Sequence, residues 1–154
     1  MTIWVDADSC PRDVKTIIRR AARKRRIPAS FVANRFVIRE DEWVRMIVVG
    51  TEEGAADAYL LEAARPGDVA VTRDILLAER LVRKGIITLN DRGREFDEDS
   101  ISEIVSMRNF SKSLRESGMF IERDRSFGKK EQKEFADAFD RILTRLSGKD
   151  TTIS

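Results

Sequence analysis

Carboxylates follow the ends of several predicted strands in this chain, and they are the residues best suited to chemistry. Asp6 and Asp8 end the first apolar run. Asp57 lies at the start of a helix after a later strand, and Asp74 follows a strand that ends in Thr72. Two carboxylates about 4 Å apart repel by roughly 4 kcal/mol at an effective dielectric near 20, so such a set needs a neutralising cation. The pattern predicts a site for Mg²⁺ or Mn²⁺ that supports phosphoryl chemistry.

Each of these acids also has a purely structural interpretation, because aspartate is a common N-cap and turn residue. Asp8 or Ser9 is an expected N-cap of the first helix, which has Pro11 in its first turn, and Asp74 is an expected N-cap of a later one. The joint occurrence of acids at several strand ends favours a site over unrelated caps.

The elements that position these acids follow from the apolar pattern and its breaks. It predicts strands over residues 2–6, 30–36, 44–49, 68–72 and 86–89. It predicts helices over 11–26, 55–64, 75–84, 100 to about 117 and 129 to about 146, the fourth opened by a capping box of Ser100 and Glu103. Residues 39–43 are predicted to form a turn, and the last helix carries an apolar stripe.

Strands that are near-continuous apolar runs and alternate with helices indicate a parallel sheet covered on both faces. The sequence therefore predicts a three-layer α/β/α sandwich with a mainly parallel sheet of about five strands and C-terminal helices packed on it. We expect one domain over 1–147 and a frayed tail over 148–154. In such sheets ligands bind outside the carboxyl ends of the strands, where the acids are expected.

Composition excludes several classes of site. The 154 residues include no histidine and one cysteine, Cys10, which excludes His-ligated zinc, a histidine base and an internal disulfide. Cys10 is predicted to be packed in the core rather than to act as a nucleophile. No apolar run approaches the roughly 18 residues of a membrane helix, and Met1 leads directly into a strand. We expect a cytoplasmic protein with no membrane association.

Other polar residues are predicted to contact a substrate at the same edge. They are Asn34 at the end of the second strand, Thr72, and Arg92 and Arg94 after the fifth strand, whose guanidinium groups suit a phosphate. The alternative for both arginines is a loop salt bridge to Glu95 or Asp97. The basic run 19–26 is either a phosphate-backbone contact or a solvated helix face. The sequence leaves open whether the chain forms a homo-oligomer.

Several short motifs are spread along the chain: Val-Asp-Ala-Asp-Ser-Cys-Pro at 5–11, Val-Ala-Asn at 32–34, Ala-Asp-Ala-Tyr-Leu at 56–60, Pro-Gly-Asp at 66–68, Thr-Arg-Asp-Ile-Leu-Leu-Ala at 72–78, Lys-Gly at 84–85, Leu-Asn at 89–90, Arg-Gly at 92–93, Met-Arg at 107–108, and Phe-Ala at 135–136 followed by Asp140. In this combination they resemble the YaiI/YqxD family of uncharacterised bacterial proteins over nearly the whole chain.

Residues 1–90 more distantly resemble PIN-like nucleases. Those enzymes use an acid on the first strand, an aspartate that opens a mid-chain helix, and a Thr/Ser-x-Asp after the fourth strand. Asp6, Asp57 and the Thr72–Asp74 segment match these positions. The resemblance implies divalent metal held by Asp6, Asp8, Asp57 and Asp74, a Thr72 hydroxyl that orients one acid, and RNA rather than DNA as the nucleic-acid partner.

A fourth acid of the PIN-like pattern has no clear counterpart here, although Glu40, Asp41 and Glu53 are candidates.

Three functions therefore compete. The favoured one is a divalent-metal-dependent nuclease in which Asp6, Asp57 and Asp74 are catalytic. The second is a HAD-type phosphatase with Asp6 as nucleophile and Asp8 as acid and base. The third is a non-catalytic module on the same fold that binds nucleic acid or protein through the basic run 19–26.

Overall fold

The computed structural model describes residues 1–116 and 127–151, and it describes side chains over 1–110 and 127–147. The predicted Ser117 end of the fourth helix lies outside the described residues. Within them, strands and helices alternate as predicted: β1 (Ile3–Asp6), α1 (Arg12–Arg25), β2 (Ala29–Ala33), β3 (Val44–Val48), α2 (Ala55–Ala63), β4 (Val69–Val71), α3 (Ile75–Arg83), β5 (Ile87–Leu89), β6 (Glu95–Phe96), α4 (Glu98–Glu116) and α5 (Lys129–Thr151).

The strands form one sheet in the order β3-β2-β1-β4-β5-β6, with every pair parallel except β5 and β6. This arrangement, with helices packed on both faces, confirms the α/β three-layer sandwich. The sixth strand was not predicted, because two residues are too few to show a period. It is identified only by its pairing, Thr88 with Phe96 and Leu89 with Glu95.

Alternate residues of each strand serve the two faces of the sheet. Ile3 and Val5 belong to the core cluster that includes α1 and α5, whereas Trp4 packs against the cluster that includes α2 and α3. The stripe of α5 is buried as predicted, with the rings of Phe135 and Phe139 stacked at a centroid distance of 5.3 Å. The strands therefore carry apolar side chains towards both layers, as their continuous apolar runs require.

The connection between β2 and β3 differs from the prediction. β2 ends at Ala33, three residues before the predicted Phe36, and the two strands are parallel. Residues 34–43 therefore carry the chain back along the sheet, and the predicted turn is found only at the end of this segment, where the Val44 amide donates to the Asp41 carbonyl oxygen at 3.4 Å. Val37 and Ile38 pack on the cluster beneath α1 and α5, so the crossover is partly buried without being a helix.

Two predicted helix ends are also corrected. The capping box that opens α4 is formed by Asp97 and Ser100, not by Ser100 and Glu103: the Ser100 amide donates to Asp97 Oδ1 at 2.7 Å, and the Asp97 amide donates to Ser100 Oγ at 3.0 Å. Serine can stand at the first or at the last position of a capping box, so the sequence pattern alone predicted a start of α4 that is too late in the chain. α5 continues past Leu146 to Thr151, which makes 148–151 helical rather than frayed; 152–154 lie outside the described residues.

Gly93 allows the loop after β5 to approach α5 closely. Its φ is +84°, and a Cβ at this position would lie 2.7 Å from the Glu134 carbonyl oxygen and 2.7 Å from Ala138 Cβ. This close approach keeps the hairpin of β5 and β6 against α5. Across the described part of the chain, none of the helices combines the length and apolar character needed to cross a membrane.

Candidate functional site

The strand order reverses direction between β1 and β4, which is where open α/β sheets form a crevice at their carboxyl edge. Asp6 is the last residue of β1, and Thr72 follows β4 directly. The Thr72 hydroxyl donates to Asp6 Oδ2 at 2.7 Å, and both residues are buried. Two residues 66 positions apart in sequence thus meet at the predicted edge.

Ser9 supplies a second hydroxyl to Asp6, a contact that the sequence analysis missed. Its Oγ donates to Asp6 Oδ2 at 2.9 Å and accepts a hydrogen bond from the Arg73 amide at 3.2 Å. The prediction that Ser9 or Asp8 caps α1 is wrong, because the N-cap is Pro11 and no side chain caps this end. The turn after β1 instead directs the Ser9 hydroxyl to the preceding strand end.

Asp74 caps α3 and also lies beside Asp6. Its Oδ1 accepts hydrogen bonds from the amides of Leu76 at 2.9 Å and Leu77 at 3.2 Å, as the structural interpretation predicted. Its own amide donates to Thr72 Oγ1 at 3.0 Å. The cap uses only Oδ1, so this role does not occupy the second carboxylate oxygen.

The negative charges at this edge act on one another. Burial raises the pKa of Asp6, and the charges of Asp74 and Asp8 raise it further, while the hydrogen bonds from Thr72 and Ser9 oppose that rise. The side chain of Asp6 therefore holds a proton more readily than a solvated aspartate does.

Asp57 is coupled to the same charges from the first turn of α2. Partial burial raises its pKa, the charges of Asp74 and Asp6 add to the rise, and Arg80 opposes it. Asp6, Asp8, Asp57 and Asp74 are called the acid cluster below. Their mutual influence places the four predicted acids in one electrostatic environment.

A cleft of about 500 Å³ lies at this edge. It is lined by Asp8, Asn34, Val49, Gly50, Thr51, Glu52, Glu53, Gly54, Ala55, Ala56, Asp57, Asp74, Leu76, Leu77 and Arg80. The Asn34 amide donates to Asp8 Oδ2 at 3.0 Å, which joins the loop after β2 to the turn after β1. Five of the fifteen lining residues carry a carboxylate and one, Arg80, carries a guanidinium, so the charge of the lining is mainly negative.

Two cationic side chains near the acid cluster were not predicted from the sequence. Arg80 lines the cleft and lowers the pKa of Asp57. Lys15 reaches back from α1, and its Nζ donates to the Ala7 carbonyl oxygen at 3.3 Å. We find no local sequence signal for either residue.

Arg92 and Arg94 are not brought into the cleft. The Arg92 guanidinium lies 5.9 Å from the centre of the Phe127 ring, and Arg94 is exposed. Their amides both donate to Asn90 Oδ1 at 2.9 Å, which shapes the hairpin loop. Arg94 forms no ion pair with Asp97 in the part of the chain that the structure describes; its charge is only the smallest of the influences that lower the pKa of Asp97.

Glu95, the other expected partner of those arginines, instead accepts hydrogen bonds from Arg145 at 2.9 and 3.3 Å.

Of the three acids considered for a fourth position, only Glu53 lines the cleft. Glu40 accepts a hydrogen bond from the Met46 amide at 3.3 Å, and Asp41 is engaged by Arg19 at 3.3 Å. Through these contacts Glu40 and Asp41 hold the loop 34–43 to β3 and α1, and neither acid lines the cleft.

The basic run 19–26 is partly used in internal ion pairs. Arg19 and Arg23 both approach Asp41, and Arg25 pairs with Asp140. The run ends at the amino edge of the sheet, because α1 leads from the carboxyl end of β1 back to the start of β2. Its end therefore lies away from the acid cluster.

The oxygen donors of the acid cluster are of the type that Mg²⁺ and Mn²⁺ prefer. Among the described residues, however, no group of three or more His, Cys, Asp or Glu side chains is arranged closely enough to hold a metal ion. The donor chemistry fits a divalent ion, and side-chain movement would be needed to bring the carboxylates together. Burial raises the pKa of Cys10 to about 12, which disfavours the thiolate that a nucleophile or soft-metal ligand requires.

Comparison with known sequences identifies relatives along nearly the full chain. A family model described as "Uncharacterized BCR, YaiI/YqxD family" matches residues 4–145. The "UPF0178 protein" of Syntrophobacter fumaroxidans is 44% identical over 94% of this chain and 95% of the relative, and that of Treponema denticola is 43% identical over 94% and 93%. No solved structure matches the chain. The chain therefore belongs to the YaiI/YqxD family of uncharacterised proteins.

Proposed function

We propose that this protein is a divalent-metal-dependent nuclease that hydrolyses phosphodiester bonds of RNA in the cytoplasm. The observation that carries the proposal is the convergence of Asp6, Asp57 and Asp74 from three separate parts of the chain, with Thr72 hydrogen-bonded to Asp6. The raised pKa values of Asp6 and Asp57, each with nearby negative charge among its causes, are of the kind that clusters at functional sites. The resemblance to PIN-like nucleases supports RNA as the substrate.

The acid cluster would hold Mg²⁺ or Mn²⁺ through Asp6, Asp57 and Asp74, with Asp8 at the entrance. When bound, such an ion neutralises charge on the phosphate and makes a water molecule more acidic. The Thr72 and Ser9 hydroxyls fix the orientation of Asp6 by bonding the same oxygen, Oδ2. Neither hydroxyl uses Oδ1 of Asp6, so Oδ1 would be the oxygen that contacts the ion, although Asp6 is 6% exposed and does not itself line the cleft.

Asp57 is suited to take the proton of the attacking water. Its raised pKa makes it a better base than a solvated aspartate, and its position on the cleft wall gives it access to a substrate. In the reaction the water oxygen forms a bond to phosphorus as the bond to the leaving oxygen breaks. The proton of the water passes to the Asp57 carboxylate, and the leaving oxygen takes up a proton from solvent.

Arg80 and Asn34 are the substrate contacts that the cleft supports best. A phosphate approaching five carboxylates of the cleft wall is repelled, and the Arg80 guanidinium is the cation among the described lining residues. Arginine binds phosphate through paired N–H groups, which suits a site that must hold the substrate in one orientation. The exposed Asn34 side chain lines the same cleft and offers an amide.

The first experiment is a Mn²⁺ titration by calorimetry, with wild type, the Asp6→Asn/Asp74→Asn double variant and Asp137→Asn. Asp137 is an exposed acid on α5 and serves as the matched control. We expect saturable binding to wild type and Asp137→Asn, and no binding to the double variant. Absence of wild-type binding at millimolar Mn²⁺ would contradict a metal-dependent site.

The second experiment measures cleavage of a labelled RNA. We expect wild type to cleave with Mg²⁺ or Mn²⁺ and to lose activity in EDTA, and Asp57→Asn to reduce the rate about 100-fold or more through loss of the base. Asp137→Asn should cleave like wild type. Cleavage that survives both EDTA and Asp57→Asn would contradict the mechanism.

A further inference from the structure

The loop after β2 carries an exposed aromatic side chain beside the cleft. Phe36 is 63% exposed, and it stands two residues after Asn34, which lines the cleft. Two residues span at most about 7 Å, so the backbone of Phe36 lies close to the cleft wall. An aromatic ring at this place offers a flat apolar surface next to an acidic site.

The exposure of Phe36 is imposed by a loop that is anchored on both sides. Before it, the Asn34 amide donates to Asp8 Oδ2 at 3.0 Å. After it, Val37 and Ile38 pack on the core cluster beneath α1 and α5. A segment fixed at both ends presents its side chain with little loss of conformational freedom on binding.

Cations flank the ring. Arg35 and Arg39 are both exposed, and neither forms an ion pair within the part of the chain that the structure describes. The loop from Arg35 to Arg39 therefore offers exposed cations and an exposed ring directly after Asn34, whereas the cleft lining includes five carboxylates. A polyanion repelled by those carboxylates finds complementary charge on this loop, and stacking on a ring does not depend on charge.

We propose that Phe36 stacks on a nucleobase of the strand whose phosphodiester enters the cleft, with Arg35 and Arg39 beside the phosphates of that strand. The inference rests on the proposed function for its choice of nucleic acid as ligand. The face of a base is available to an aromatic ring only when the base is unstacked, so the bound strand has an unpaired base at this position.

The test measures fluorescence anisotropy of a labelled twelve-nucleotide RNA in EDTA, where metal-dependent cleavage does not interfere. We expect Phe36→Ala to weaken binding about tenfold, within the range found when a stacked aromatic is removed, and Phe36→Trp to bind like wild type. Phe110→Ala is the matched control: Phe110 is also 63% exposed, but it lies on α4. It should leave binding unchanged.

A strand of the same length with abasic sites separates stacking from charge. Wild type should bind it about as weakly as Phe36→Ala binds the intact RNA, and Phe36→Ala should bind both strands equally. The inference is overturned if wild type does not bind the RNA, if Phe36→Ala binds like wild type, or if Phe110→Ala is equally impaired.

Cleavage is scored separately with Mg²⁺. Binding that depends on Phe36 in a protein that never cleaves would contradict the proposed function alone. Cleavage and binding that are both unaffected by Phe36→Ala would contradict the inference alone.

Discussion

Asp68 and Asp6 lie at opposite edges of the same sheet and are held in different ways. Asp68 precedes β4 at the amino edge and accepts hydrogen bonds from the Thr2 amide at 2.9 Å, Trp4 Nε1 at 3.0 Å and the Arg65 amide at 3.0 Å. Asp6 ends β1 at the carboxyl edge, accepts hydroxyl hydrogen bonds and lies near other negative charges. The first is surrounded by N–H donors, and the second by like charges.

Asp41 resembles Asp68 in being surrounded by N–H donors. Hydrogen bonds from the Trp43 and Val44 amides and from Arg19 lower its pKa. Asp41 therefore stabilises the fold through its ionised form, whereas ionisation of Asp6 opposes folding. The comparison teaches that the partners of an aspartate, rather than its position after or before a strand, decide whether its ionised form stabilises the fold.

The largest effect expected from this comparison is the loss of Asp68. Asp68→Ala leaves three N–H groups without their acceptor, which costs about 2–3 kcal/mol of unfolding free energy. Urea denaturation followed by circular dichroism measures the loss, and Asp137→Ala is the exposed control. A decrease below about 0.5 kcal/mol would show that water replaces the carboxylate, and the comparison would fail.

Asp6→Asn should have the opposite sign. At pH 7 without metal, removing a buried charge beside other acids is expected to stabilise the protein by about 1 kcal/mol. A carboxyl whose pKa is raised by folding carries no penalty while it is protonated in both states; the penalty grows as pH rises from the ordinary value of 3.8 through the raised one. The stabilisation should therefore be largest at pH 7 and decline towards pH 3.

Urea denaturation of wild type and Asp6→Asn across this pH range checks the sign. A stabilisation that is constant with pH, or a destabilisation at pH 7, would contradict the assignment of Asp6 as an acid opposed by its neighbours.

The smallest effect concerns Arg80. Its charge lowers the pKa of Asp57, so Arg80→Ala should shift that pKa further upward without changing stability by more than about 0.5 kcal/mol. Carboxyl carbon chemical shifts in an NMR titration report the change. Arg83→Ala on the same helix, where Arg83 pairs with Glu79, is the control and should leave the Asp57 titration unchanged.

The parts of the fold that could be predicted are those that depend on the pattern of apolar and polar residues within a short segment. Strands, helices and the α5 stripe followed from apolar periodicity, and family membership followed from short motifs. The predictions were wrong where contacts between distant segments of the chain determine the structure. β6 exists through its pairing with β5, and the loop 34–43 crosses the sheet because β3 lies parallel beside β2. Neither pairing has a local signature.

The residues of the candidate site also fall into those that local pattern predicted and those that it did not. Asp6, Asp57 and Asp74 were predicted because acids at strand ends and helix starts are visible in sequence. Ser9 and Arg80 were missed because their roles depend on the direction of a turn and of a helix face relative to the sheet.

The sequence by itself determined the three-layer class, the apolar faces and the set of acids at the strand ends. These features depend on apolar periodicity and on the residues that end helices and strands, which act over a few residues. Only the tertiary structure decided which acids share an environment. Placing β4 beside β1 brings Thr72 to Asp6 across 66 positions of sequence and leaves Asp68 among N–H donors at the other edge. Strand order arises from long-range packing, and that packing gives identical side chains different chemistry.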